Sequence, residues 1–162
     1  MNQSPQEIIR LLDLQKHTEG GWFRELYRSV VRTHATKQRR ASTSILYMLC
    51  AKEVSAWHLV KSDEIWMYHS GSSAVQLLLL NDGTFEERVI GPDIAAGEFP
   101  QSIIPAWTWQ STVLTDRSED SWGLFGAVCT PGFEYEDFMK GSTGELIAKY
   151  PEAKNRILEL GL

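Results

Sequence analysis

The sequence has no long apolar run. The longest, at positions 75–80, is interrupted by Gln76 and falls far short of the eighteen or so residues of a membrane span, so no membrane partner is expected. The opening residues, M-N-Q-S-P-Q-E, carry no basic stretch followed by an apolar core. No secretory signal is therefore visible, and the expected compartment is the cytoplasm. Cysteine is scarce. Cys50 and Cys129 are far apart and each sits among apolar neighbours, which excludes a disulfide framework and reads as two buried free thiols. Positive charge is in deficit, with 16 Lys and Arg against 21 Asp and Glu and a net charge of −5. That balance argues against a dedicated nucleic-acid binder. The one basic stretch, R-T-H-A-T-K-Q-R-R at 32–40, has no interleaved aromatics and reads as a solvated loop with His34 exposed in it. No residue-level repeat is present.

What remains is a globular composition, 43% hydrophobic over 162 residues, enough for one domain with a proper core. Ser4-Pro5-Gln6-Glu7 forms a capping box that opens a helix predicted over 5–16. Gly20-Gly21 permits a tight turn, after which the chain is extended, with Phe23, Glu25 and Tyr27 expected on one face. From position 42 the pattern is β: predicted strands at 42–50, 53–60, 64–69, 74–80, 84–90, 99–104, 108–114 and 122–130, with Asn81-Asp82-Gly83 a strong hairpin signal. Ser142 and Glu145 start a helical C-terminus, Pro151 restarts it, and Gly161 ends it. Many short strands at near-regular spacing give an all-β class, a sandwich or barrel with helices at both ends.

The functional centre is expected at 55–71, S-A-W-H-L-V-K-S-D-E-I-W-M-Y-H-S-G, which places His58, Asp63, Glu64 and His69 within one aromatic-rich segment. By strand parity Glu64, Trp66 and Tyr68 share a face, and His69 has the opposite parity. Asp63 reads as a turn or supporting residue.

This stretch resembles the first signature of the cupin superfamily. Ala56 stands where that signature has its first histidine, His58 matches the second, and Glu64 and Gly71 keep the glutamate-to-glycine interval. The step from His58 to Glu64 is one residue longer than in the signature. Gln110 stands where the second signature has a histidine. The chain is also similar, over nearly its full length, to a small uncharacterised cupin branch, through E-G-G-W-F-R-E-L-Y-R-S at 19–29, W-H-L-V-K-S-D-E-I-W at 57–66, P-A-W-T-W-Q at 105–110 and P-G-F at 131–133. The resemblance implies a single-domain jelly-roll β-barrel over 1–162, with the helix at 5–16, the barrel at 22–138 and the C-terminal helices at 143–160. It also implies a homodimer and a ligand in the barrel mouth.

A metal, if present, would be held by His58, Glu64 and Gln110, with His17, His34 and His69 as further ligands. One imidazole, one carboxylate and an amide make a weak transition-metal set, so no cofactor is expected. Some metal-free cupins epimerise nucleotide-linked sugars with a histidine base and a tyrosine acid, which the resemblance makes an option here. His58, Glu64 and Tyr68 are the expected catalytic groups, with Tyr27 and Tyr47 as alternative acids. Phe23, Glu25, Tyr27, Tyr47, Trp66, Trp109 and Gln110 are the expected ligand contacts. The leading expectation is a small-molecule-binding cupin with metal-independent sugar or nucleotide-sugar epimerase or isomerase chemistry. The alternatives are a metal-dependent dioxygenase or isomerase, and a non-enzymatic binding or scaffold domain.

Overall fold

The computed structural model describes residues 3–34 and 38–160. Positions 35–37 of the basic loop and the expected stop at Gly161 lie outside the described residues. The chain opens on helix α1 (Pro5–Leu12), where Ser4 Oγ accepts from the Glu7 amide at 3.2 Å. The helix ends four residues before the predicted boundary. Asp13 turns left-handed at φ 52° and returns its amide to Arg10 and Ile9 carbonyls. That turn lets Leu14 join Ile8 and Met48 in an apolar cluster, and it frees Gln15–Lys16 to become β1.

The strands that follow are β2 (Trp22–Arg28), β3 (Thr43–Cys50), β4 (Val54–Val60), β5 (Asp63–Gly71), β6 (Ala74–Leu79), β7 (Phe85–Ile90), β8 (Gln101–Ile104), β9 (Trp109–Leu114), β10 (Trp122–Thr130) and β11 (Phe138–Lys140). Helices α2 (Thr143–Lys149) and α3 (Lys154–Leu160) close the chain. One sheet has the order β1-β2-β3-β10-β5-β8 and the other β11-β4-β9-β6-β7. All the ladders in both are antiparallel. Two antiparallel sheets packed face to face with helices at both ends are the jelly-roll arrangement expected from the sequence.

Three apolar clusters hold it. Between the sheets lie Tyr47, Trp66, Leu78, Ile104, Leu114 and Phe125 among others. The outer face of the five-stranded sheet packs Trp57, Leu77, Leu79 and Val113 against Leu146, Tyr150 and Ile157 of the C-terminal helices. The outer face of the six-stranded sheet packs Met48, Leu46 and Trp122 against α1. Strand β3 therefore has apolar neighbours on both faces, which is why its sequence runs I-L-Y-M-L-C without alternation.

Two irregularities decide what faces the interior. In β2 the register with β3 shifts between Glu25 and Tyr27, so Leu26 is an extra residue. In β4 the register with β9 shifts between Ser55 and His58. Each extra residue reverses the alternation beyond it. Phe125 is fully buried and its ring lies 5.7 Å from Trp66 and 6.2 Å from Tyr68. Phe125→Ala should lower stability by about 3–5 kcal/mol, read as a lower urea midpoint at unchanged slope. A loss below about 1 kcal/mol would contradict this core assignment.

Candidate functional site

The site begins with a turn. Between β1 and β2 the chain closes at His17–Gly21, with the His17 amide donating to Gly21 O at 3.0 Å. Gly20 has φ 108°, and a Cβ there would lie 2.1 Å from Val54 O, so no side chain fits so close to the neighbouring strand. The close approach delivers Glu19 to β4. Glu19 O accepts from the Ala56 amide at 2.8 Å, and Tyr47 Oη donates to Gly20 O at 2.8 Å from beneath.

The β4 bulge completes the arrangement. It turns Ser55 and His58 to the same, buried side and sends Trp57 toward α3, where its indole N–H donates to Ile157 O at 3.3 Å. Ser55 Oγ donates to Glu19 Oε1 at 3.3 Å. His58 Nδ1 lies 2.8 Å from Ala56 O and 3.2 Å from Glu19 Oε2. A carbonyl oxygen only accepts, so Nδ1 carries the proton. The neutral ring then has its lone pair on Nε2, which has no protein partner among the described residues. The ring stacks on Phe138 at 5.6 Å. On the other side of Glu19, His17 Nδ1 lies 3.5 Å from Oε1 and accepts from the Glu19 amide at 3.4 Å.

His17, Glu19 and His58 line a pocket of about 90 Å³ at one end of the sandwich. Phe23, Glu25 and Arg28 come from β2, Thr43 and Ile45 from β3, and Glu64 from β5. Ala127 and Cys129 of β10 add to the wall, and Phe133, Tyr135 and Phe138 form its outer side. Arg28 donates to Glu25 Oε2 at 2.7 Å, to Phe133 O at 3.1 Å and to Glu134 Oε1 at 3.3 Å. Its charge is thus met within the protein.

Burial sets the protonation states. It pushes the Glu19 carboxyl up to about 8, against weaker downward pulls from Ser55 and Lys140. It pushes His17 down to about 4, helped by His58. It lowers His58, against the raising effect of Glu64 and Ala56 O. It raises Glu64, opposed by His58 and by the Gln110 amide, which donates to Glu64 Oε2 at 2.6 Å. At neutral pH, then, Glu19 is an acid, His17 is an uncharged ring, and burial biases His58 and Glu64 toward their uncharged forms.

Of the residues singled out in the sequence, His58, Glu64, Phe23 and Glu25 line the pocket. Tyr27 does not. The extra residue Leu26 turns it outward, half exposed, and gives its place to Arg28. Tyr68 packs on Phe125 and donates its hydroxyl to Gly71 O at 2.7 Å, away from the pocket. Tyr47 and Trp66 are sealed in the core beneath, 5.2 Å apart. Trp109 faces the C-terminal helices, because in β9 Gln110, Thr112 and Leu114 take the inner side. Gln110 sits behind Glu64 and is 1% exposed. Asp63 accepts from the Ala106 amide at 2.8 Å, and His69 is exposed. Glu19 is the pocket carboxylate that the sequence reading missed. Its signal was its place directly before the glycine pair of a turn.

The donor set does not suit a transition metal. His58 Nε2 brings one imidazole lone pair, but Gln110 presents an N–H rather than a lone pair to Glu64. Among the described residues no three His, Cys, Asp or Glu side chains are grouped to hold an ion.

The model of one cupin-superfamily branch, DUF985, matches residues 6–140. The chain belongs to the cupin superfamily. This cupin is 29% identical to an uncharacterised protein of Saccharomyces cerevisiae over 85% of its own length and 76% of the relative's. It is 32% identical to a solved protein of Shewanella oneidensis, each chain covered over 99%, with a TM-score of 0.89. Oxalate decarboxylase from Bacillus subtilis shares the fold alone, at 16% identity and a TM-score of 0.58 over 93% of this cupin and 38% of that chain. No helix among the described residues is long and apolar enough to cross a membrane.

The buried acid and the buried base have opposite pH signatures. Folded Glu19 keeps its proton to about 8, against 4.5 for the ordinary group. Its contribution to stability is complete below 4.5 and is lost as pH rises to 8. Glu64, also raised, acts in the same sense. Folded His17 lies at about 4, against 6.5, so its contribution is complete above 6.5 and is lost as pH falls toward 4. His58, also lowered, acts with it. From 6.5 to 8 the Glu19 slope is therefore no longer opposed by His17 and approaches ~1.4 kcal/mol per pH unit. Urea midpoints should fall over that interval in the wild type and fall less in Glu19→Gln. A level wild-type profile would contradict a buried neutral Glu19.

Proposed function

We infer that this cupin binds a small, uncharged, polyhydroxylated molecule of carbohydrate type and isomerises it by proton transfer, without a metal. His58 acts as base through Nε2, and Glu64 acts as the acid that returns a proton. The observation that carries this reading is the fixed tautomer of His58: with Nδ1 held by Ala56 O and Glu19, the basic lone pair is on the remaining nitrogen of a ring that lines the pocket. A base takes a C–H proton adjacent to a carbonyl, and an acid whose carboxyl is raised by burial delivers one to the neighbouring atom. Phe23, Phe133 and Phe138 offer apolar ring faces for a sugar to lie against. Arg28, already spent on Glu25 and Glu134, leaves little attraction for phosphates or free acids.

The test has two arms. Neutral sugars and polyols should raise the melting temperature, while carboxylates and phosphates of similar size should not. A binding sugar incubated with the protein in D2O should gain deuterium next to its carbonyl, read by proton NMR. His58→Asn should slow that gain by about 10²–10⁴-fold. If no neutral ligand stabilises the protein, the binding reading falls. If His58→Asn exchanges as fast as the wild type, the role of His58 falls.

A further inference from the structure

The pocket passes from a sealed floor to an open lip. On the floor His58, Glu64 and Cys129 are buried. At the lip Tyr135 also lines the cavity, yet it is 68% exposed. Its ring meets Phe133 edge-to-face at 5.3 Å, and packing claims only part of it. The turn that carries it is held in place: the Asp137 amide donates to Glu134 O at 3.0 Å, and Arg39 pairs with the Asp137 carboxylate. Glu134, next to Tyr135 in the chain, is tied through Arg28 to Glu25 on the facing strand β2.

The cavity behind this lip is small. A cavity of about 150 Å³ holds one benzene ring, so a space of about 90 Å³ takes, in proportion, about four non-hydrogen atoms. A hydroxy-carbonyl unit has that many: two carbons and their two oxygens. A pyranose ring exceeds it before its hydroxyls are counted. The ring form of a sugar is therefore too large, whereas the open chain, which alone carries a free carbonyl, can enter by one end.

We propose that the pocket takes its ligand end-on in the open-chain form, with the hydroxy-carbonyl end beside His58 and Glu64 and the rest of the chain laid across the lip against Tyr135. Tyr135 is then the residue that sets the preference for chain length. Its exposed face covers the carbons of the tail. Glu25 and Arg28 offer polar atoms to the hydroxyls. Two carboxylates against one guanidinium leave these three lip residues net negative, which disfavours a tail that ends in phosphate or carboxylate.

This inference rests on the carbohydrate reading above. Its probes are glycerol, erythritol, xylitol and sorbitol as open chains of rising length, and methyl glucopyranoside as a locked ring. Titrations of the wild-type protein followed by saturation-transfer NMR should give affinities that rise from glycerol to sorbitol and no binding of the methyl glycoside. That comparison needs no variant. Tyr135→Ala should lose the rise while binding glycerol as the wild type does, and Tyr135→Phe should keep it. The ring is mostly in water, so both variants should melt with the wild type in the absence of ligand. Methyl glucopyranoside bound as tightly as sorbitol, affinities that do not rise with length, or a rise that survives in Tyr135→Ala overturns the proposal. In each of these cases a sugar or polyol still binds, so the carbohydrate reading stands. Equal loss of glycerol and sorbitol in Tyr135→Ala also overturns it, by making the ring part of the inner wall. If none of the five probes binds the wild type, the carbohydrate reading falls and the proposal falls with it.

Discussion

Everything in the pocket depends on the peptide of Ala56. Its amide donates to Glu19 O and its carbonyl takes the proton of His58 Nδ1. One bulged residue therefore joins the turn between β1 and β2 to strand β4 and fixes the imidazole in a single tautomer. Backbone groups freed from the ladder at the bulge would be costly if left bare in a buried place. Here they are used, and what they hold is the chemistry of the site.

Electrostatics in the pocket follow from burial more than from charge pairing. Glu19 is 8% exposed at its side chain and His58 is 3%, and an ion at either place would give up its hydration. The protein answers by keeping acid and base uncharged and by meeting the pocket-lining Arg28 with Glu25 and Glu134. A metal would demand the reverse: deprotonated carboxylates and converging lone pairs. Gln110, turned by its N–H toward Glu64, belongs to the uncharged arrangement.

Much of the fold was legible because strands of this kind announce themselves. The run at β3, the Asn81-Asp82-Gly83 hairpin and the span of β10 follow from apolar patterning and turn chemistry. The short strands β1 and β11 were not legible, since two or three residues are too few to show a period, and α1 ended early because Leu14 had a core to reach. In the site, His58 and Glu64 could be picked out by residue type. Tyr27 and Arg28 could not be assigned to the right faces, because an extra residue within a strand leaves no mark on composition. Tyr68 and Trp109 have the chemistry of ligand contacts but are claimed by packing. Glu19 was hidden in a turn, where a carboxylate beside two glycines reads as solvent-facing until the strand it touches is known.

The bulge in β4 also makes the site fragile in an unusual direction. Straightening the bulge at unchanged chain length would give an unbroken ladder with β9 and satisfy every local preference for a strand. It would also rotate the inner and outer sets of side chains into each other's places, bringing Trp57 toward the cavity and taking His58 away from it. In this strand the most orderly pairing and a usable pocket are mutually exclusive. The irregularity is therefore part of the specification of the molecule.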